Sequence, residues 1–203
     1  MKKILINFAH PAKRHSSINK TLIKAVKNLE NITINDLYAN YPDFLIDVKR
    51  EQKLCEEHDI IIFQHPLYWY STPAIVKEWQ DLVLEHGWAY GSNAEALKDK
   101  IFLEAISAGR DEETYHKDGL NEFTLEEFIS PRKITAKICK MTYLPPFCIF
   151  GSHRGIDKSK LETYTAEYRK ALTALRDEIL DLDLAKTKIY LNEDLDSLIK
   201  KAV

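Results

Sequence analysis

The chain has 203 residues, of which 45% are hydrophobic and 30% are charged, and its formal net charge is -2 at pH 7. This length and composition predict one soluble globular domain that is large enough to bury a substantial core. The near-neutral charge argues against nucleic acid as a main partner, because nucleic-acid-binding domains usually carry a basic surface.

Short apolar runs alternate along the chain with longer amphipathic runs. The apolar runs predict strands at Lys3 to Phe8, Thr33 to Leu37, Asp59 to Phe63, Lys100 to Ala105 and within Tyr143 to Phe150. The amphipathic runs predict helices at Ser17 to Leu29, Val48 to Cys55, Pro73 to Glu85, Thr124 to Phe128, Pro131 to Cys139 and Ser159 to Leu180. Pro145 and Pro146 leave the start of the fifth strand undefined, because proline cannot donate to a strand ladder.

Five strands that alternate with helices predict a parallel sheet covered on both faces, and right-handed crossovers leave few topologies for it. We expect residues 1–180 to form this domain. Residues 181–203 follow the fifth unit, and the sheet does not need them. They could form a docking arm, a short strand and helix, or a frayed tail.

The cysteines and the apolar runs indicate in which cellular compartment the protein is expected. Cys55, Cys139 and Cys148 are odd in number and form no CxxC pair, so we expect reduced thiols in a cytoplasmic protein. The apolar run at the N-terminus ends at His10, too early for a signal peptide. No segment approaches the roughly 20 apolar residues of a membrane helix, so direct membrane insertion is not expected. No Cys/His cluster has the spacing of metal ligands, and we expect no metal.

Three loops are expected to meet at one edge of this sheet. If the strand order is 2-1-3-4-5, the carboxyl ends of strands 1, 3 and 4 lie side by side at the switch point, where such sheets bind ligands. The loops at that edge are residues 10–19, 65–72 and 107–116.

The first loop leads into a helix, whose N-terminus offers unpaired N–H groups and a positive dipole to an anion such as phosphate. Its side chains add donors or positive charge at His10, Lys13, Arg14, His15, Ser16, Ser17 and Asn19. The loop has neither GxGxxG nor GxxxxGK[ST], so it is not a dinucleotide fingerprint or a P-loop. An ordinary N-cap at Ser16 or Ser17, with His10 as a plain turn residue, explains this loop equally well.

The second loop is rich in aromatic side chains. Its central residues are Pro66, Leu67, Tyr68, Trp69 and Tyr70. Aromatic residues after a buried parallel strand lie where α/β sheets bind flat ligands. A hydrophobic staple that locks the entry to the helix at Pro73 is an equally good interpretation of this segment alone.

The third loop begins with small residues and then carries a tyrosine–histidine pair. Ser107, Ala108, Gly109 and Arg110 would let backbone amides approach a planar ligand closely, although a bare tight turn is the interpretation that this loop alone favours. Tyr115 and His116 could donate protons or hydrogen bonds to a developing oxyanion.

Together, the three loops suggest a site for flavin mononucleotide, and at this point the chain resembles a known family. It is similar to the flavodoxin-like NAD(P)H:quinone oxidoreductases, which include DT-diaphorase, and within them to the ancillary oxidoreductases of glutathione-regulated potassium-efflux systems. The matching segments lie in order over about residues 1–180: Ala9 to Pro11 with Ser16 to Asn19, Tyr41 to Asp47, His65 to Tyr70, His86 to Gly91, and Leu144 to Phe147.

The resemblance implies a flavodoxin-like, doubly wound five-stranded sheet and a bound FMN or FAD. It implies that the phosphate and ribityl end lies on His10, Ser16, Ser17, Ile18 and Asn19. Pro66 to Tyr70 would pack against the isoalloxazine, with Trp69 on its face or edge, and Ser107 to Arg110 would contact its pyrimidine edge. Hydride would pass from NAD(P)H to flavin N5 and then to a quinone.

The resemblance also implies catalytic and interface residues. Tyr115 lies at the spacing of the family's catalytic tyrosine, whereas the family's downstream histidine has no counterpart near Asn121, so His116 could replace it only with a different geometry. Trp88 and Tyr90 match the segment that completes the cleft of a neighbouring subunit, which implies a homodimer. The family's Thr-Thr-Gly-Gly turn is replaced here by Ser107 to Arg110.

Two other functions stay open from the sequence. One is a flavin-binding regulatory subunit of a potassium-efflux transporter, which would place the protein at the inner face of the membrane through that partner. The other is a one-electron carrier, which accounts poorly for the segment around Tyr115 and for the near-neutral charge.

Overall fold

A twisted parallel sheet forms the centre of the computed structural model, which describes residues 1–12 and 16–200. Its strands within the described residues are β1 (Ile4–Phe8), β2 (Ile32–Asp36), β3 (Ile60–Pro66), β4 (Ile101–Ser107), β5 (Thr142–Tyr143) and β6 (Phe147–Ile149). The strands lie in the order β2-β1-β3-β4-β5, and β6 also pairs with β4. The predicted flavodoxin-like fold and strand order are therefore confirmed, with a sixth strand attached.

The sixth strand arises because the predicted fifth strand is divided. β5 pairs with the start of β4 at Ile101 and Phe102, and β6 pairs with its end from Ala105 to Ser107. Pro145 and Pro146 lie between the two pieces and have no N–H group to donate to the ladder. The outer strand is thus continuous in direction but interrupted in its hydrogen bonding.

Helices cover both faces of the sheet. In chain order they are α1 (Ser17–Val26), α2 (Leu37–Asn40), α3 (Val48–Glu57), α4 (Ala74–Val83), α5 (Leu125–Ile138), α6 (Lys158–Arg176), α7 (Leu182–Ala185) and α8 (Leu195–Leu198), with a short 3-10 turn at Glu112–Tyr115. One core lies between the sheet and α1 and α6, where Leu22, Tyr168 and Leu172 are buried. A second core lies on the opposite face, where Phe63 packs edge-on against Trp79 of α4.

The two predicted helices around Pro131 form one helix, α5. Thr124 and Glu127 begin it with a capping box, in which each side chain bonds the backbone of the other residue. Pro131 removes the N–H group that would have bonded the carbonyl of Glu127, but the hydroxyl of Ser130 donates to that carbonyl at 2.8 Å. Because the freed acceptor is satisfied locally, the helix continues through the proline.

The segment after α6 is folded against the domain. Leu191, Leu195 and Leu198 are buried in the same core as α1 and α6. The side-chain amide of Asn192 accepts from the N–H of Cys148 at 2.9 Å and donates to its carbonyl at 3.0 Å, as a neighbouring strand would. Among the alternatives left open for this extension, the structure shows two short helices and no strand within residues 181–200. No helix of the described chain is both long and apolar enough to cross a membrane.

Candidate functional site

Two adjoining clefts lie at the carboxyl ends of β1, β3 and β4, and residues from all three predicted loops line them. The first has a volume of about 500 Å³ and the second about 600 Å³. Binding sites for cofactors commonly have volumes of about 300–1,000 Å³. The clefts share Leu67, Trp69, Gly109 and His153, so they form one continuous depression.

The first cleft includes the N-terminus of α1 and two buried polar atoms that bond nothing in the described chain. Ser16 occupies the N-cap position, yet its side chain makes no capping hydrogen bond, and its Oγ is buried without a partner. His10 Nδ1 is buried without a partner too. An ordinary N-cap hydroxyl accepts from the first turn of its helix, so that interpretation of Ser16 does not hold. Unsatisfied donors beside a helix N-terminus fit a phosphate group.

His10 is held in place by its surroundings. Burial, and then the charge of Lys20, lower the pKa of His10, so the ring is neutral at physiological pH and keeps one N–H group to donate. Its ring packs edge-on against Tyr68 at a centroid distance of 6.0 Å. It is therefore a buried cleft residue, not a plain turn histidine. The predicted positive charges Lys13, Arg14 and His15 lie outside the described residues.

Asn19 lines the first cleft and also ties two of the loops together, and its contact with a ligand stays a prediction. Its Nδ2 donates to Ser107 Oγ at 2.8 Å, so the first loop is tied to the end of β4. Gln64 donates to the Asn19 carbonyl at 2.9 Å, and the phenol of Tyr168 donates to Gln64 at 3.0 Å. The side chain of Ile18 is likewise buried in the core. Ser17 is exposed at the cleft.

The aromatic loop is a tight turn with both central residues in the left-handed region. Tyr68 and Ser71 exchange two backbone hydrogen bonds of 3.0 Å, and the φ angles of Trp69 and Tyr70 are 48° and 62°. Such a turn favours glycine or asparagine, and each bulky residue held there costs about 1–3 kcal/mol. Strain of this size at the edge of a cleft indicates a functional constraint on the turn.

Within the described part of the chain, the side chain of Trp69 is almost unpacked. Its side chain is 94% exposed, whereas Tyr68 and Tyr70 are partly exposed. The N–H groups of Trp69 and Tyr70 donate no hydrogen bond within the described residues. A hydrophobic staple would bury its aromatic residue, so the exposure of Trp69 argues for a ligand-facing turn. Pro66 and Leu67 also line the first cleft.

The third loop is held by the segment that follows β6. The carbonyls of Ala108, Gly109 and Arg110 accept backbone hydrogen bonds from residues 151–153 at 2.8–3.0 Å. Ala108 is fully buried and donates its N–H to Ile149 at 2.7 Å, which corrects its predicted contact with a ligand. Gly109 lines both clefts without a left-handed backbone.

The sequence interpretation missed the residues that complete this wall. Ser152 and His153 line the first cleft, and His153 and Arg154 line the second. Arg154 lies 3.5 Å from Asp111 as an exposed ion pair. The available signal was the polar run directly after the last strand, because that position lies at the same edge of the sheet as the other three loops.

The second cleft contains the predicted catalytic tyrosine. Tyr115 is buried between Phe150 and Phe128, at ring-centroid distances of 5.7 and 6.5 Å. Burial raises the pKa of its phenol, although the backbone N–H of Arg110 opposes the shift, so the phenol keeps its proton and can donate it. Arg110 lies exposed at the rim of the cleft.

Three other predicted residues are not brought to these clefts. His116 is exposed and lines neither of them. The indole of Trp88 donates to Glu56 at 2.7 Å, and its ring packs on its own subunit. Tyr90 lines a separate groove of about 640 Å³ between α4 and α5.

In residues 1–12 and 16–200, no group of three or more His, Cys, Asp or Glu side chains is arranged to hold a metal ion. The clefts are lined by amides, hydroxyls, aromatic and imidazole rings, one aspartate and two arginines. These groups suit an organic ligand with a phosphate and a flat ring.

Comparison with known proteins agrees with the fold that the structure shows. Residues 2–172 match a family described by its flavodoxin-like fold. The glutathione-regulated potassium-efflux system ancillary protein KefG of Pectobacterium carotovorum is 43% identical over 152 residues, which are 75% of this chain and 83% of that protein.

Two solved structures share the fold closely. General stress protein 14 of Treponema denticola, solved in complex with FMN, is 38% identical with a TM-score of 0.80 and covers 85% of this chain and 99% of its own. An NADPH-quinone reductase from P. pentosaceus is 28% identical with a TM-score of 0.76 and covers 83% of this chain and 96% of its own.

Proposed function

The chain belongs to the flavodoxin-like fold family, and from this premise we propose that it is an FMN-dependent NAD(P)H:quinone oxidoreductase. One observation carries the proposal: Ser16 Oγ and His10 Nδ1, which have no partner among the described residues, lie in the same cleft as the strained, exposed turn at Trp69. This cleft offers phosphate donors at one end and an aromatic face at the other. The FMN complex of the Treponema denticola relative supports the choice of flavin.

The residues present fit FMN. Ser16, Ser17, His10 and the first N–H groups of α1 would hold the phosphate. Trp69 would pack against the ring, and the N–H groups of Trp69 and Tyr70 would donate to its polar edge. FMN is the preferred cofactor because the Treponema denticola relative was solved with FMN. When bound, FMN supplies the capacity to accept a hydride and pass it to a second substrate.

The second cleft would place each substrate in turn beside the first. Tyr115 would donate a hydrogen bond to charge that develops during transfer, because its burial keeps the phenol protonated. Arg110 and Arg154 would offer positive charge to the phosphates of NAD(P)H. Leu67, Trp69 and Tyr70 would exclude water from the reacting atoms.

We propose that two copies form the working unit. The groove between α4 and α5 is lined by Tyr90, Leu84 and Ile138, and Ile134 and Ile138 are 56% and 55% exposed. Exposed apolar side chains grouped in this way favour a covering partner. A two-fold dimer is the commonest closed assembly and the preferred occupant.

A regulatory role at a potassium-efflux transporter is the second candidate, and the similarity to KefG favours it. The two functions are separable by experiment. Purified protein should show a flavin absorbance spectrum, and NADH or NADPH should be oxidised with menadione as acceptor. Activation of a transporter beside negligible turnover would support the regulatory role. Apo protein that takes up neither FMN nor FAD at micromolar concentration would contradict both.

A further inference from the structure

Three ionisable side chains are buried together next to the wall of the first cleft. His65 of β3 and Glu104 of β4 are fully buried, and Arg132 of α5 is 5% exposed. Glu104 Oε1 lies 2.7 Å from Arg132 Nε and 3.2 Å from His65 Nε2. Buried charges are costly unless they are paired, so a cluster of this kind at a ligand site requires an explanation.

The hydrogen bonds indicate the charge of His65. Its Nδ1 lies 3.0 Å from the carbonyl of Pro66, which can only accept. Its Nε2 faces Glu104 Oε1, which accepts from Arg132 Nε and is therefore an acceptor toward His65 as well. Both ring nitrogens of His65 therefore face acceptors, and both are satisfied only when the ring is an imidazolium.

Two cations then share one carboxylate, which leaves one net positive charge in the cluster. Other groups near it are the Tyr143 hydroxyl and the second carboxyl oxygen of Glu104, which both lack a partner in the described chain, and the buried thiol of Cys148. The charge is connected to the cleft directly, because His65 donates to the carbonyl of Pro66, a residue of the cleft wall. In a buried environment of low dielectric, such a charge acts strongly on a nearby ligand.

We propose that the His65–Glu104–Arg132 cluster makes the first cleft bind reduced FMN, whose ring is anionic, more tightly than oxidised FMN, whose ring is neutral. His65 is thus a positioning residue that supplies charge through the cleft wall without touching the reacting atoms. This inference rests on the proposed function. It adds a way in which this chain sets the reduction potential of its cofactor, since charge near the flavin ring tunes its electronics.

The test compares affinities for the two redox states. His65→Asn keeps an N–H group for the Pro66 carbonyl and removes the charge. We expect its affinity for oxidised FMN to stay within about twofold and its affinity for dithionite-reduced FMN to fall about tenfold, which lowers the two-electron midpoint potential by about 30 mV. Arg132→Met should shift the potential in the same direction by less, and it serves as the test if His65→Asn does not fold.

His58→Asn is the matched control. His58 is also buried, but it lies at the opposite end of β3, where its ring nitrogens bond the Leu54 carbonyl and Thr33 Oγ1. Its substitution should leave the potential unchanged. Equal loss of affinity for both redox states, an unchanged potential or a raised potential in His65→Asn would overturn the inference. Failure of the wild-type protein to bind FMN would instead overturn the proposed function.

Discussion

Replacing Trp69 with glycine should make the protein more stable and its flavin binding weaker. The side chain of Trp69 is 94% exposed, so its removal costs little packing, while its φ of 48° strains any residue except glycine. Release of this strain should raise the free energy of unfolding by about 1–2 kcal/mol. The greater conformational freedom of glycine in the unfolded chain lowers the free energy of unfolding by about 0.4–1 kcal/mol. The net gain lies between about 0 and 1.6 kcal/mol and is centred near 0.8 kcal/mol, which should raise the Tm of the apo protein by about 2–3 °C.

Flavin binding should change in the opposite direction. Loss of ring stacking removes about 0.5–1.5 kcal/mol, or about two- to tenfold in the dissociation constant, which titration of apo protein with FMN measures through flavin fluorescence. Trp69→Ala should lose the same affinity without the gain in Tm, because alanine keeps the strain. Leu45→Gly changes a side chain that is also exposed but not left-handed, and it should lower the Tm. Equal Tm values for wild type and Trp69→Gly, or unchanged FMN affinity, would refute this reasoning.

Three further predictions concern catalysis, the phosphate end and assembly. Tyr115→Phe should keep its yellow cofactor but slow flavin reduction by NAD(P)H about 10- to 1,000-fold in stopped flow. The effect of His116→Ala should be smaller. A wild-type rate of flavin reduction in Tyr115→Phe would show that the tyrosine only shapes the loop. Because burial raises the pKa of Tyr115, the wild-type rate should not fall through loss of this proton below about pH 10. Ser16→Ala should weaken FMN binding at unchanged Tm, since its hydroxyl makes no capping bond; a lowered Tm would restore the N-cap interpretation. Sedimentation should show a dimer that Ile138→Glu converts to monomer, and a fully active monomeric wild type would contradict the dimer.

The positions of the inner strands followed from the sequence because buried parallel strands are nearly continuous apolar runs, whereas their order came with the family resemblance. Ile60 to Phe63 is such a run, and its neighbours on the sheet are of the same kind. The divided outer strand and the continuous α5 were not predictable from apolar periodicity. The divided strand depends on the missing N–H groups of Pro145 and Pro146. The continuous helix depends on the bond that Ser130 donates to the carbonyl left free by Pro131.

The position of the candidate site was predicted from loops at one edge of the sheet, but the directions of individual side chains were not predicted. Asn19 and Ala108 have the right residue types and positions for ligand contact, yet their polar groups bond the protein itself. The buried partnership of Glu104 with His65 joins residues 39 positions apart. A pattern along the chain does not show such pairs, because they depend on the register of β3 against β4.

The two hydrogen bonds between Asn192 and Cys148 also limit how the molecule can associate with other chains. A sheet ends in a strand whose outward N–H and C=O groups can recruit another chain, and growth along such an edge is a route to insoluble aggregates. On the outer side of β6, both of these groups of Cys148 are already bonded to the amide of Asn192. A foreign strand therefore has to displace this side chain before it can extend the sheet there. The segment 181–200 thus protects the outer edge of β6 against pairing with another chain.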